Sequence, residues 1–135
     1  MVIGPTENAL RALLNRLLAV TPIRSYERWV ALNVLARSAC LRAEAGRVLA
    51  DALKVDSARV DSILADLEAE DLINDAAEAM RLSAAGVAAL DEARPHISNV
   101  TARLVGSIPS ASVEIMLQVL DEVRSNAELE LAILG

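Results

Sequence analysis

The chain has 135 residues, 54% of them hydrophobic, a formal net charge of −6 and one cysteine. That length suits one domain with an ample core, and the negative balance opposes general attraction to phosphate or anionic lipid, so a nucleic-acid role would need a local basic patch. The apolar residues are almost all Ala, Leu, Val and Ile, with no Phe, one Trp and one Tyr, which is the composition of a helix-rich protein.

No apolar run approaches the roughly 18 residues a membrane span needs. The N-terminal stretch is broken by Pro5, Glu7, Arg11, Asn15 and Arg16, so neither a transmembrane helix nor a signal peptide is expected. The lone Cys40 excludes an intrachain disulfide and a zinc site of several cysteines, and it fits a reducing, cytoplasmic setting.

From Asn8, Leu10, Leu13, Leu14, Leu17 and Leu18 recur at helical spacing, with Thr6 as the expected N-cap. Thr21-Pro22 breaks this helix, and Ser25 caps a second in which Trp29, Leu32, Val34, Leu35 and Ala36 face a core. A third helix covers about Ala43 to Leu53. A fourth runs from Asp56 or Ser57 to Glu70, with Val60, Ile63, Leu64 and Leu67 on one face. Leu72-Ile73 and Met80-Arg81-Leu82 read as two short strands joined across "NDAAEA". Ser83 caps a long helix in which Pro95 predicts a kink or restart, and Gly106, Ser107 and Pro109 end it. The last helix, from Ser110 or Ser112 to about Ile133, is too apolar to lie alone at a surface. The first and last helices carry more leucine than one small module would bury, so a homodimer is expected.

This order resembles the MarR family of winged helix-turn-helix regulators, and three segments carry the likeness. "ERWVALNVLARS" is similar to a Trp followed by a Leu-rich helix. "KVDSARVDSILADLEAEDLI" is similar to the family's turn and recognition helix with its Leu-Glu-x-x-Gly-Leu-Val ending. "RLSAAGVAALDEARPHI" is similar to the Leu-Thr-x-x-Gly and Leu-x-x-Ala-Arg-Pro segment that leaves the wing. The resemblance implies a mainly α fold, one MarR-like domain over 1–135. The winged helix-turn-helix lies at about 25–83, with dimerisation helices at about 5–20 and 84–133. It also implies DNA-binding homodimers that answer to small aromatic acids or to oxidation. Carried over by position, the DNA-binding residues would be Ser57, Arg59, Ser62 and Arg81.

Several positions depart from the pattern. Ser62, Asp66 and Glu70 stand where family members often place Arg, leaving Arg59 as the basic residue of the recognition helix. Lys54 and Asp71 stand where Gly is usual, and Gly takes positive φ without the cost that Lys or Asp pays. The wing is short, and Arg81 near its base is its one cation. Residues 41–82 hold five cations against ten acids, a net of −5, whereas residues 1–40 carry +3. Affinity for DNA leans on Lys and Arg at phosphates, and base readout leans on bidentate Arg or Lys; both are scarce in this segment.

Other chemistry has thin support. His96 is the sole histidine and follows Pro95 in a family-like stretch, so a structural or exposed role competes with a catalytic one. One His and one Cys cannot fill a tetrahedral metal site, and no Gly-rich phosphate loop or other cofactor motif is present. Cys40, with Arg37 and Arg42 nearby to lower its pKa, is either a redox sensor or a semi-buried structural thiol. Arg24, Tyr26, Arg28 and Trp29 form the candidate ligand cluster, since an Arg beside an aromatic suits a carboxylate or phenol. Against that, Trp29 would be core and the arginines solvated or paired with Glu27. The sequence therefore supports a ligand-responsive regulator with weak or atypical DNA contact. The alternative is a winged-helix dimer repurposed away from DNA as a small-molecule-binding protein, an enzyme or an anti-regulator that masks a protein partner.

Overall fold

A computed structural model describes residues 2–76 and 79–135. Helix α1 spans Ile3–Leu18, earlier than the capping pattern suggests. Thr6 is not its N-cap: the Thr6 hydroxyl donates to the Val2 carbonyl from inside the helix. Pro5 is tolerated there because the first-turn N–H groups have no intrahelical partner to lose. The chain then turns on Thr21, whose hydroxyl donates to the Leu18 carbonyl at 2.7 Å and accepts from the Ile23 N–H at 3.2 Å. Helix α2, Tyr26–Arg37, starts at Ser25 as expected, the Ser25 hydroxyl accepting from the Arg28 N–H at 3.3 Å. Within α2, Ala31, Leu32 and Leu35 are buried, whereas Ala36, expected in the core, is exposed.

Helix α3 covers Arg42–Leu53 and α4 covers Ser57–Ala69, the latter capped by the Asp56 carboxylate accepting from the Arg59 N–H at 2.8 Å. Between them Lys54 adopts φ 55° and ψ 46°, and after α4 Asp71 adopts φ 58°. The turns keep the left-handed geometry that glycine serves best, and a lysine and an aspartate bear the strain. Lys54→Gly is therefore expected to raise stability by about 0.5–1 kcal/mol, read as a higher urea midpoint with an unchanged slope. A lower midpoint would show that this turn stores no strain.

Strands β1, Ile73–Asp75, and β2, Met80–Leu82, pair antiparallel with Ile73 opposite Leu82 and Asp75 opposite Met80. The first strand begins one residue later than the sequence suggests, and Leu72 instead enters the core beside Ile73. On the other edge of β2, Cys40 and Met80 exchange backbone hydrogen bonds of 3.2 and 2.7 Å. The connection after α2 thus covers the edge of the wing. Ala77 and Glu78, in the expected wing tip, lie outside the described residues.

Helix α5 runs from Ala84 to Val105 and α6 from Ser110 to Leu134. Ser83 caps α5 as expected, accepting from the Gly86 N–H at 3.0 Å. α5 does not restart at Pro95; the helix continues through it. A proline removes one hydrogen bond, and the helical turns on both sides outweigh that loss.

Two compact units result, Met1–Ile97 and Ser98–Gly135. The first contains the core: Leu18, Ile23, Leu32, Leu49, Leu64, Leu67, Ile73, Met80 and Leu90 are almost wholly buried. In the second, α6 buries none of its residues, and Ile115, Leu117, Val119, Leu120, Leu129 and Leu131 are exposed. Among the described residues, no single helix is long and apolar enough to cross a membrane.

Candidate nucleic-acid interface

Burial of Val60, Ile63, Leu64 and Leu67 turns the opposite side of α4 outward. Ser57, Ala58, Arg59, Asp61, Ser62, Ala65, Asp66 and Ala69 are all exposed, so the two serines and the arginine singled out from sequence do share the outer surface of one helix. The arginine is not free. Its Nε donates to Glu27 Oε2 at 3.1 Å and its Nη2 to Glu27 Oε1 at 2.5 Å, a two-point grip from the first turn of α2. Hydrogen bonding to Arg59, against the opposing effect of burial and with further help from Arg11, holds the Glu27 carboxyl below the usual carboxylate range.

The other cations of the winged segment are used in similar ways. Arg42 Nη1 reaches Glu68 at 3.2 Å and Asp75 at 3.1 Å, tying the start of α3 to α4 and to β1. Lys54 pairs with Asp51 at 3.0 Å. Among the described residues, Arg47 and Arg81 are exposed and make no ion pair. Asp61 and Asp66 face solvent on the same helix as Arg59. The outer face of α4 therefore carries two exposed aspartates beside an arginine already paired with Glu27.

The candidate ligand residues separate. Arg24 and Arg28 converge on one carboxylate, with Arg24 Nη2 3.0 Å from Glu70 Oε1 and Arg28 Nη1 2.6 Å from Glu70 Oε2. The expected neutralising partner, Glu27, is occupied by Arg59, so Glu70 takes both. Arg28 also donates to the Pro22 carbonyl at 3.1 Å, while its buried Nε has no partner. Arg24 holds φ 73° to reach this place. Tyr26 lies beneath Arg11, whose guanidinium carbon is 5.7 Å from the ring centre. Trp29 packs against the core. None of the four lines the shallow cavity of about 290 Å³ formed by Leu35, Ala36, Leu82, Val87, Leu90, Asp91 and Arg94.

Cys40 differs from one of its two expectations. Burial, together with the nearby Glu44, raises its pKa, and Arg42 is turned to Glu68 and Asp75 instead of the thiol. That is the opposite of the shift that makes a sensor thiolate. His96 is exposed on α5. Among the described residues, no three His, Cys, Asp or Glu side chains cluster as metal ligands would.

The sequence named Glu27 and Glu70 but not their partners, Arg59 for Glu27 and Arg24 with Arg28 for Glu70. Both partnerships join segments far apart in the chain, so no local spacing announces them.

No protein-family model and no curated protein matches the chain. Its fold does match solved structures. A MarR/EmrR family transcriptional regulator from Acinetobacter sp. ADP1 aligns with a TM-score of 0.78 at 17% identity, over 94% of this chain and 92% of that one. A MarR family protein of Mycobacterium tuberculosis, in complex with DNA, aligns with 0.72 at 19% identity, over 90% and 94%. CouR from Rhodococcus jostii RHA1, bound to p-coumaroyl-CoA, aligns with 0.75 at 17% identity, over 90% and 88%. The chain therefore has the MarR-like winged helix-turn-helix fold.

Proposed function

We propose that this protein is a MarR-like, ligand-responsive transcriptional regulator whose contact with DNA is weak or atypical. The observation that carries the proposal is the engagement of Arg59, the one cation on α4, by Glu27. The recognition-helix frame is retained while its electrostatic contribution is withheld. Among the solved structures it resembles are a complex with DNA and a complex with p-coumaroyl-CoA, which supports a regulator that meets DNA and a small ligand. Arg24 and Arg28 sharing the single carboxylate of Glu70 leave one excess positive charge beside the start of α2, which supports an organic anion as the ligand.

The proposal includes a homodimer. A 25-residue helix with no buried residue leaves an apolar face that a second copy would cover, and α1 adds exposed Ile3 and Leu10. Light scattering should then return twice the 14.4 kDa chain mass. On that species, a salt titration against genomic DNA fragments is expected to show affinity weaker than about 1 μM at near-physiological salt, with a shallow slope of only one or two phosphate contacts. Submicromolar, steeply salt-dependent binding would overturn the weak-contact reading. The second reading, a dimer repurposed away from DNA, is favoured by the acids of this head serving as internal partners for Arg24, Arg28 and Arg42. It predicts no measurable binding even at low salt.

A further inference from the structure

The contact between α2 and the first turn of α4 does more than lower the charge of the surface. A carboxylate with two oxygens on the Nε and Nη2 edge of a guanidinium makes the arrangement that a phosphate makes with arginine. Glu27 is less than a third exposed, whereas Arg59 is more than half exposed, so the cation's outer edge still faces solvent while the two donors of its Nε–Nη2 edge, the edge that grips a phosphate bidentately, are committed.

We propose that Glu27 is an intramolecular gate on the recognition helix, standing in for a nucleic-acid phosphate at Arg59, so that DNA contact by α4 requires the guanidinium to exchange carboxylate for phosphate. The inference rests on the regulator reading above, because it assumes that α4 is the surface offered to DNA. It assigns the weakness of that contact to one reversible ion pair in addition to the fixed acidic charge.

The test uses a labelled duplex of mixed sequence, about 30 base pairs long, with binding followed by fluorescence anisotropy across salt concentrations. Glu27→Gln is expected to tighten binding about fivefold at low salt and to steepen the salt slope by about 0.9, the signature of one added phosphate contact. Asp66→Asn removes the same formal charge from the exposed face without freeing a cation and should leave the slope unchanged. Arg59→Ala should change wild-type affinity less than about twofold, because its cation is already committed, and should abolish the gain in the double variant. A Glu27→Gln slope equal to that of wild type, or a gain that survives Arg59→Ala, overturns the gate. Should Glu27→Gln fail to fold, as judged by circular dichroism, Arg59→Ala decides alone: a large loss of wild-type affinity means that Arg59 already touches DNA. Tight wild-type binding at near-physiological salt sinks the weak-contact reading whatever the variants do. Absence of binding by all variants at low salt sinks the gate and the weak-contact reading together, in favour of the dimer repurposed away from DNA.

Discussion

Gly86→Ala is expected to cost about 3 kcal/mol of stability, a sign opposite to the usual effect of alanine in a helix. Elsewhere in a helix the exchange gains up to about 1 kcal/mol, because glycine surrenders more backbone freedom on folding. Gly86 sits in the first turn of α5, and a Cβ built there would lie 2.1 Å from the Leu72 carbonyl oxygen and 3.2 Å from its carbon. That carbonyl has no room to retreat. It accepts the Ser83 N–H at 3.1 Å, while the Leu72 N–H donates to the Leu67 carbonyl at 3.0 Å, and the Leu72 side chain is buried. The glycine is what lets α5 start directly against the segment leading from α4 into the wing. Urea unfolding measures the cost, and Gly46→Ala is the control. Gly46 lies within α3 with nothing within 4 Å of its missing Cβ, so alanine there should be neutral or stabilising. Equal effects at both sites would show that the Leu72 contact imposes no constraint.

Gly86 also shows where the sequence was legible. Its place in "RLSAAG" matched a family pattern, and the structure supplies the physical reason, a close backbone approach. The caps Ser25 and Ser83 were readable, and Asp56 was one of two candidates with Ser57, for a similar reason: a short side chain satisfying a nearby N–H is a local event that spacing reveals. The buried stripe Val60, Ile63, Leu64 and Leu67 was readable from periodicity. Thr6 misled because a hydroxyl can serve a helix from inside its first turn as well as from its cap. Lys54 and Asp71 could be flagged as departures from glycine, but whether the turn would change shape or carry the strain depends on packing around it. The candidate site was legible as charge and illegible as pairing. Counting found too many acids between residues 41 and 82, yet only the folded chain shows that Glu68, Glu70 and Asp75 are consumed by arginines of other elements. Ion pairs between distant segments are chosen by tertiary geometry, and several arrangements satisfy the same composition.

Glu70→Ala is expected to destabilise the fold by about 2 kcal/mol, because it leaves the Arg28 guanidinium without its anion in a place water barely reaches. The Arg28 side chain is only 11% exposed, its Nε is already without a partner, and Glu70 is its ion-pair partner at 2.6 Å. The Pro22 carbonyl would remain as the acceptor for Nη2. Glu68→Ala offers the contrast, with an expected cost below about 0.5 kcal/mol, since its pair with Arg42 is open to solvent and Arg42 keeps Asp75. The same pair sets a pH dependence. The hydrogen bond from Arg28 lowers the Glu70 pKa; burial opposes this, and the charges of Arg28 and Arg24 add to it. A carboxyl whose folded pKa is depressed binds fewer protons folded than unfolded, so its contribution is complete above the unfolded value of about 4.3 and fades as pH falls through the folded one. Glu27, also depressed, acts in the same direction. Wild type should therefore lose stability more steeply than Glu70→Gln as pH falls below about 4.3, and the two curves should converge in stronger acid. Parallel curves would mean that Glu70 is not held by Arg28 in solution. Because Glu70 closes α4, a steeper wild-type curve would tie the seating of that helix to the arginines before and within α2.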